Sequence, residues 1–457
     1  MVATEADPAL APSGIGGSAL LSPDFSVLEG AKRDREIPTP ERNIPSWARS
    51  GTALLDQSLF GGANFLVSVL LARWLDPQEY GAFSVAYAMF LLLAGFHTAI
   101  LSEPMLVFGA KKYARNLPRY AGILITAHFG LTVTIFLILA GAATLAWWVG
   151  HEDLARSLFG LSIATPTVLL LWLVRRVPYV GHRPHLSIAM DACFLGLVVA
   201  FMVGLVKLRA LSSLTAFGAI SISALSSSAL LTNMVWPQFR DAGSEITVSG
   251  VLRDHRSYGG WNLLGMLGQW LSGQVVIVTL PLVLGLSATA AVSAVANIFR
   301  PLNLLIQSAG LVVLPALASI GRDGPEAELM RQEARRFFAI LGGGVFVYGL
   351  AVTIFSGPIL HQLYGGRYDG SGMVVLMLAL MYLASVAVQV PTLAIKATGD
   401  ARPLVRIWLI SGVLTAILSI PAARVMGIEG AIGAVLVSYV MASIAAQRKI
   451  RALSAQA

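Results

Sequence analysis

The chain has few charged residues and only one cysteine. Of its 457 residues, 12% are charged and 56% are hydrophobic, whereas a typical soluble domain carries about 25% charged residues. This scarcity of charge excludes an ordinary soluble protein and points to a lipid bilayer. The single cysteine, Cys193, excludes an intramolecular disulfide and a cysteine-based metal cluster.

The sequence also lacks the motifs that bind nucleotides or carry out hydrolysis. It has no Gly-x-x-x-x-Gly-Lys loop, no His-Glu-x-x-His and no Gly-x-Ser-x-Gly pattern. We therefore predict no enzyme activity, no catalytic residue, no metal site and no cofactor. The net charge of +8 comes from basic residues between hydrophobic runs, where membrane topology explains them, so we predict no nucleic-acid partner.

Long hydrophobic runs, by contrast, are abundant. Runs close to the ~20 residues needed to cross the hydrocarbon core recur along the whole chain. They predict an all-α polytopic membrane protein with about twelve transmembrane helices. The predicted spans cover residues 52–74, 80–104, 120–149, 155–180, 184–206, 212–236, 257–284, 287–318, 335–357, 371–395, 403–423 and 429–446.

The polar segments predict how the chain is divided. A disordered cytoplasmic tail, 1–50, precedes an N-terminal lobe, 51–236, and a cytoplasmic linker, 237–256, leads to a C-terminal lobe, 257–446, and a short cytoplasmic tail, 447–457. Six spans return the chain to its starting side, so the lobes share one orientation. Such repeats commonly bind substrate at their interface. We predict two parallel six-helix lobes around a central cavity.

Basic residues alternate between the connections as the positive-inside rule requires. Most of the 32 lysines and arginines lie in the two tails and in every second connection. The opposite connections hold only Arg73, Arg156, Lys207, Arg209, Arg367 and Arg424. This pattern predicts a multi-pass protein of the cytoplasmic (inner) membrane with both termini in the cytoplasm.

Polar residues recur on one face of three predicted spans, where a lipid-facing helix needs none. Helical spacing keeps each set on a narrow stripe. Small and amide residues also pack membrane helices together, so each stripe is either cavity lining or packing surface. The stripes consist of Gln57, Gly61, Asn64 and Ser68 in span one; Asn262, Gly265, Gln269 and Ser272 in span seven; and Asn297, Arg300, Asn303 and Gln307 in span eight.

Arg300 is the sharpest of these features. A cation centred in a span costs at least ~2.5 kcal/mol on insertion scales, and Pro301 beside it removes a backbone donor. Arg300 either faces a cavity and binds an anion, or pairs with an acid or extends toward the interface. We predict that it lines a cavity. The predicted substrate-binding set is Arg300, Gln57, Asn64, Asn262, Gln269, Asn297, Asn303 and Gln307.

Three carboxylates lie inside or at the ends of predicted spans. Asp56 and Asp191 are the candidates for ion coupling, although a basic residue lies near each of them in the sequence. Glu103 ends span two near Lys111. We expect each of the three to be the interfacial partner of a basic residue rather than a coupling-ion site. His97 is close by, but a lone histidine near a helix end is usually structural.

A distinctive pattern joins the first two spans. Ala72-Arg73-Trp74-Leu75 is followed by the acidic turn Asp76-Pro77-Gln78-Glu79 and then by Tyr80-Gly81. Val313-Leu314-Pro315-Ala316-Leu317, Ala397-Thr398-Gly399-Asp400 and Gly427-Ile428-Glu429-Gly430-Ala431 occur later in the chain. Together these segments resemble the polysaccharide-export flippases of the multidrug, oligosaccharidyl-lipid and polysaccharide exporter superfamily.

The resemblance implies alternating access and a cargo made of a glycan on polyprenyl pyrophosphate, as in the export of O-antigen or exopolysaccharide repeat units. Expected partners are this lipid-linked oligosaccharide, membrane lipid, a polysaccharide polymerase and glycosyltransferases. Arg300 would then neutralise the pyrophosphate, and the amides would bind sugars or phosphate oxygens.

Other functions remain open for the same architecture. A multidrug and toxin extrusion antiporter would carry cationic drugs, for which an arginine in the cavity is ill suited. A membrane scaffold of a polysaccharide assembly complex would transport nothing. Lipid II flippases usually have fourteen spans and arginines on their first two helices, whereas Asp56 and Gln57 stand in the first span of this chain.

The charge alternation makes a direct prediction about topology. Reporter fusions placed after residues 118 and 330 should report cytoplasm, and fusions after residues 152 and 366 should report the outer side, because lysine and arginine hold their connections inside. Paired phosphatase and fluorescent-protein fusions measure this. A reversed signal at any one of the four sites would contradict the twelve-span topology.

Overall fold

The structure is a computed structural model that describes residues 46–180, 184–235, 246–318, 325–397 and 402–455, apart from some side chains within these ranges. In the described ranges every regular element is a helix and no strand occurs. The protein is therefore an all-α polytopic membrane protein, as predicted. Most of the predicted N-terminal tail lies before residue 46, outside the described residues.

The helices of the described residues are numbered here in chain order. A π-helical turn, Thr98–Ser102, joins α2 to α3, and a 3-10 turn, Ala114–Asn116, precedes α4. The α-helices are α1 (Ser46–Trp74), α2 (Pro77–His97), α3 (Glu103–Gly109), α4 (Leu117–Trp148), α5 (Glu152–Val174), α6 (Val177–Val180), α7 (Pro184–Lys207), α8 (Ser213–Val235), α9 (Val248–Gly273), α10 (Val275–Thr279), α11 (Pro281–Leu284), α12 (Leu286–Ala318), α13 (Pro325–Ile354), α14 (Ser356–Tyr364), α15 (Gly372–Ala397) and α16 (Arg402–Ala455).

These helices account for the twelve predicted spans. Eight stretches of the described residues are long and apolar enough to cross a bilayer, and the bent run from α9 into α10 and α11 makes a ninth. One of the eight, α16, contains two passes. The remaining two predicted spans lie in α1, with 29 residues, and α12, with 33 residues.

The last two passes form a hairpin inside α16. Gly427 interrupts the helix with a φ of 65° and a ψ of −143°, a conformation that favours glycine because it has no Cβ. A Cβ on Gly430 would collide with the carbonyl group of Ala422. Ser411 Oγ donates to the Ser438 carbonyl oxygen at 3.4 Å, so the arms before and after Gly427 run antiparallel.

Packing divides the described helices into two lobes. α1, α2, α4, α5, α7 and α8 contact one another in the first lobe, whereas α9, α12, α13, α15 and both arms of α16 contact one another in the second. The lobes meet where α1 and α2 pack on α12 and where α2 packs on α9 and α10. α9 begins at Val248, earlier than the predicted 257, because Thr247 caps it through the backbone N–H of Gly250 at 3.3 Å.

Several contacts hold the lobes together at the predicted outer end. Gly81 of α2 lies so close to Leu286, the first residue of α12, that a Cβ would overlap the Leu286 carbonyl group. Arg73 donates from Nη1 to the carbonyl oxygen of Gln362 at 3.1 Å, and Arg367 donates to that of Leu75. Because these contacts connect α1 and α2 with the second lobe, the interface is closed at this end.

A buried ion pair lies within the first lobe. Arg175 Nη2 and Asp191 Oδ2 are 2.7 Å apart, with 7% and 0% of their side chains exposed. Ser187 Oγ also donates to the carbonyl oxygen of Arg175 at 2.8 Å, which ties α7 to the end of α5. Asp191 was predicted as a possible ion-coupling residue, and the structure gives it this partner.

Breaking the pair on one side should destabilise the protein strongly. Arg175→Ala removes the cation that lies 2.7 Å from the buried Asp191 carboxylate. Breaking a buried ion pair on one side costs about 3–5 kcal/mol, so thermal unfolding of the purified protein in detergent should shift to lower temperature. The double variant Arg175→Met/Asp191→Leu should recover most of the loss. Arg156→Ala breaks the exposed pair with Glu152 and should change stability by less than about 1 kcal/mol. Wild-type stability in Arg175→Ala would contradict a structural role for the pair.

Candidate functional site

Arg300 lies at the lobe interface, where α12 meets α1 and α2. Its Nη1 donates to Ser68 Oγ at 2.7 Å and to the Asn64 carbonyl oxygen at 3.1 Å. Its guanidinium lies 5.4 Å from the ring centroid of Tyr87, within the range of a cation–π contact. Because α12 belongs to the second lobe and these partners to the first, the side chain of Arg300 bridges the two lobes.

All of these partners of Arg300 are neutral. In the described part of the chain no carboxylate forms an ion pair with Arg300. A guanidinium has five N–H donors, and the two hydrogen bonds involve only one of its nitrogens. The site therefore presents a half-buried cation with donor capacity to spare, an arrangement that suits an anionic ligand.

Asparagine and tyrosine side chains surround Arg300 along α12. Asn297 is fully buried and donates from Nδ2 to Tyr80 Oη at 3.0 Å. Asn303 is exposed and donates to Tyr382 Oη, also at 3.0 Å. Both predicted amides therefore bind tyrosine hydroxyls in this conformation. A hydroxyl can rotate and exchange partners, so the pairs retain the means to bind a ligand.

A second group of predicted residues lines a cavity of about 190 Å³ between the lobes. Asn262 and Gln269 of α9 lie on one side of it, opposite residues of α2 and the π-helical turn. Trp172 of α5 and Met266 of α9 supply apolar surface. The stripe predicted for span seven thus lines a cavity at these two positions.

Glu103 also lines this cavity, and the sequence prediction missed its environment. The expected ion pair with Lys111 is wrong: in the described structure Glu103 forms no ion pair with that residue, and its Oε2 accepts a hydrogen bond from Asn262 Nδ2 at 3.1 Å. Only 8% of Glu103 is exposed. The available signal was the Glu103-Pro104 pair directly after a long apolar run, a place where proline interrupts helical hydrogen bonding.

The structure thus separates the predicted binding residues into two clusters. The Arg300 cluster contains Asn64, Asn297 and Asn303, and the cavity cluster contains Asn262 and Gln269. They are neighbours along α2, because Tyr87, which faces Arg300, is one helical turn from Leu91, which lines the cavity. The side chains of Gln57, Gln307 and Asp56 lie outside the described residues.

A further set of contacts joins the lobes at the predicted cytoplasmic end. Lys112 Nζ and Asp254 Oδ2 are 2.6 Å apart, and Tyr113 Oη donates to the same carboxylate oxygen at 2.6 Å. Burial, together with the Asp254 carboxylate, raises the pKa of Tyr113 above its ordinary value, so its hydroxyl stays a donor at neutral pH. These contacts fix the first turns of α9 against the loop after α3.

No protein-family model and no curated protein sequence matches the chain. Solved structures do match it. An inward-facing multidrug resistance MATE family transporter of the MOP superfamily is 13% identical, with a TM-score of 0.71, and the match covers 87% of this chain and 95% of that one. The lipid II flippase MurJ, in an inward closed conformation, is 10% identical, with a TM-score of 0.68 and coverage of 87% and 86%.

A MOP superfamily transporter from Pyrococcus furiosus, described by a reversed polarity of its binding pocket, is 14% identical. Its TM-score is 0.59, and the match covers 88% of this chain and 95% of that one. Identities this low show a shared fold. The chain therefore has the fold of the MOP superfamily transporters.

Proposed function

We propose that the protein is a transporter that flips a polyprenyl-pyrophosphate-linked oligosaccharide from the cytoplasmic to the outer leaflet by alternating access. One observation carries the proposal: Arg300 lies between the lobes with neutral partners. The pyrophosphate is the charged part of such a cargo. It is the group for which hydrocarbon is the greatest barrier, whereas the polyprenyl chain can stay in lipid.

The setting of Arg300 suits a phosphate more than it suits a structural ion pair. The planar guanidinium can bind two phosphate oxygens at once. Ser68, Asn297 and Asn303 add hydroxyl and amide groups that can bind phosphate or sugar oxygens. The lipid II flippase among the structures of the same fold handles a lipid-linked substrate by its name, which supports a cargo of this class.

Alternating access gives the outer contacts a role. In this proposal the hydrogen bonds of Arg73 and Arg367 and the Gly81–Leu286 contact break when the lobes rock. The cargo at Arg300 is then exposed to the outer side. A polysaccharide polymerase and glycosyltransferases would be the partners that use and supply the lipid-linked oligosaccharide, and the cytoplasmic membrane would be the location.

The proposal predicts a specific effect of removing Arg300. Arg300→Ala should lower glycan export about 100-fold, because two charge-assisted hydrogen bonds are worth roughly 3 kcal/mol together, while protein abundance stays near wild type. Arg300→Lys should keep part of the activity, because the charge remains but the planar donor group is lost. Lipid-linked glycan accumulated in the inner leaflet, and protein in the membrane fraction, are both measured.

Two further arginine variants serve as controls for Arg300→Ala. Arg156→Ala removes an exposed arginine at a helix end and should change neither quantity. Arg175→Ala should lower abundance, because it breaks the buried ion pair with Asp191, whereas Arg300→Ala breaks no ion pair among the described residues. Normal export by a well-expressed Arg300→Ala protein would refute the pyrophosphate role, and a loss of abundance equal to that of Arg175→Ala would indicate a structural ion partner.

A second candidate function is export of a cationic compound. It is favoured by the interlobe cavity, which both Glu103 and Trp172 line, because a carboxylate and an indole ring both attract cations. Accumulation of a fluorescent organic cation in cells with and without the protein separates the two functions. Glu103-dependent extrusion of the dye, with glycan export unaffected, would favour the cationic cargo.

A further inference from the structure

Glu103 and Asn262 face each other across the lobe interface. Glu103 follows the π-helical turn in the first lobe, and Asn262 lies midway along α9 in the second. They are 8% and 3% exposed and share the single hydrogen bond from Nδ2 to Oε2. The contact therefore joins the lobes at a point that water hardly reaches.

Each side chain of this pair has an oxygen without a donor. Oε1 of Glu103 and Oδ1 of Asn262 are both buried and accept no hydrogen bond from the described residues, although the Tyr258 hydroxyl, one turn earlier on α9, also interacts with the Asn262 amide. A buried acceptor without a donor lowers stability, because it has lost its hydrogen bonds to water and has formed none within the protein. The carboxylate and the amide are both planar and are already joined on one side, so a single extra donor between them would satisfy both free oxygens.

A proton is the smallest donor that fits this description. If Glu103 is protonated on Oε1, its O–H can donate to Oδ1 of Asn262 while Oε2 still accepts from Nδ2. The result is a cyclic acid–amide pair with two hydrogen bonds and no net charge. If Glu103 is ionised, the interface instead contains a buried negative charge and two buried acceptors without a donor, and separation of the lobes lets water reach them.

We propose that Glu103 is a proton-binding site that controls the lobe interface at its cytoplasmic half. The protonated form joins the lobes through the acid–amide pair with Asn262, and the ionised form favours an open cavity. The proton comes from the adjoining aqueous phase and returns to it. This site lies beyond the proposed cargo site at Arg300 and operates whichever cargo the protein carries.

Charged and titratable groups of α9, α15 and the α5–α6 junction lie near Glu103. Lys396 of α15 and Arg176, between α5 and α6, act electrostatically on its carboxylate, and it acts on Tyr258 of α9. His255 of α9 contacts the carbonyl oxygen of Ile100, in the π-helical turn, at 2.7 Å. The two cations stabilise the ionised form of Glu103, whereas the low dielectric of its surroundings stabilises the protonated form. Each form is therefore stabilised by only part of the surroundings.

The position of the pair fits control of access. On the predicted topology α2 runs from the outer side to the cytoplasm, so Glu103 lies on the cytoplasmic side of Arg300. The outer contacts of Arg73 and Arg367 close the opposite end. Because the lobes are in contact at both ends in this structure, opening of the cytoplasmic end requires that the Glu103–Asn262 contact break. A π-helical turn beside Glu103 is also a common feature of functional sites.

Thiol labelling of the cavity tests the proposal without any cargo. Cys193 is the only cysteine, so Cys193→Ser/Thr98→Cys places a single thiol on the cavity wall. Inside-out vesicles are treated with a membrane-impermeant maleimide between about pH 5.5 and 8.5, a range that spans carboxyl groups shifted by burial. Labelling should rise at least about threefold with pH when it is normalised to the exposed position in Cys193→Ser/Ala110→Cys. A threefold change corresponds to a population shift of about 0.65 kcal/mol.

Variants of the pair locate the responsible proton. Glu103→Gln, added to the labelling background, imitates the protonated acid and should give low labelling at every pH. Asn262→Leu removes the acceptor for the proton and should give high labelling at every pH. Glu152→Gln changes an exposed carboxyl group and should leave the wild-type profile unchanged.

Two results would overturn the proposal. One is normalised labelling that does not change with pH in the wild-type background. The other is a wild-type pH profile in Glu103→Gln, which would assign the titration to another group, such as His255. If Glu103→Gln does not accumulate, Asn262→Leu decides instead, and a wild-type profile in that variant rejects the acid–amide pair. Normal glycan export by Arg300→Ala, which would refute the proposed cargo, would leave these outcomes unaffected.

Discussion

The rest of the structure depends on the free-energy cost of placing a charged group in a medium of low dielectric. Each ionised group inside the membrane must be paired, hydrogen-bonded or reached by water. Arg175 and Asp191 use the first solution and bind each other inside one lobe. Arg300 and Glu103 do not, and both lie at the interface between the lobes. Charge that is not balanced within a lobe is thus placed where motion of the lobes can change its surroundings.

Much of the fold could be predicted from the sequence because hydropathy and helix length are local properties. The twelve passes and the hairpin turn at Gly427 follow from apolar runs and the glycine between them. The early start of α9 was missed, because its first turns are polar and depend on the Thr247 cap and on contacts such as Lys112–Asp254. The bend between Gly273 and Val275 was also missed, because its 58° angle arises within one continuous apolar run.

The candidate site could be predicted only in part. Helical periodicity placed Asn262 and Gln269 on one face, since position along a helix fixes direction, and both line the same cavity. It could not show that Asn297 binds Tyr80, a residue far away in the sequence, or that Arg300 reaches Ser68. Glu103 was expected to pair with Lys111 because the two are close in sequence, but its actual partner comes from the other lobe.

Helix α2 faces both the Arg300 cluster and the cavity cluster, since Tyr87 contacts Arg300 and Leu91 lines the cavity that Glu103 also lines. If a proton at Glu103 favours one arrangement of α2 against α9, and cargo at Arg300 favours one arrangement of α2 against α12, each ligand changes the affinity of the other by the same factor. The size of that factor depends on how differently each ligand binds the two arrangements. Coupling between proton and cargo then requires no direct contact, only one rigid helix that belongs to both interfaces.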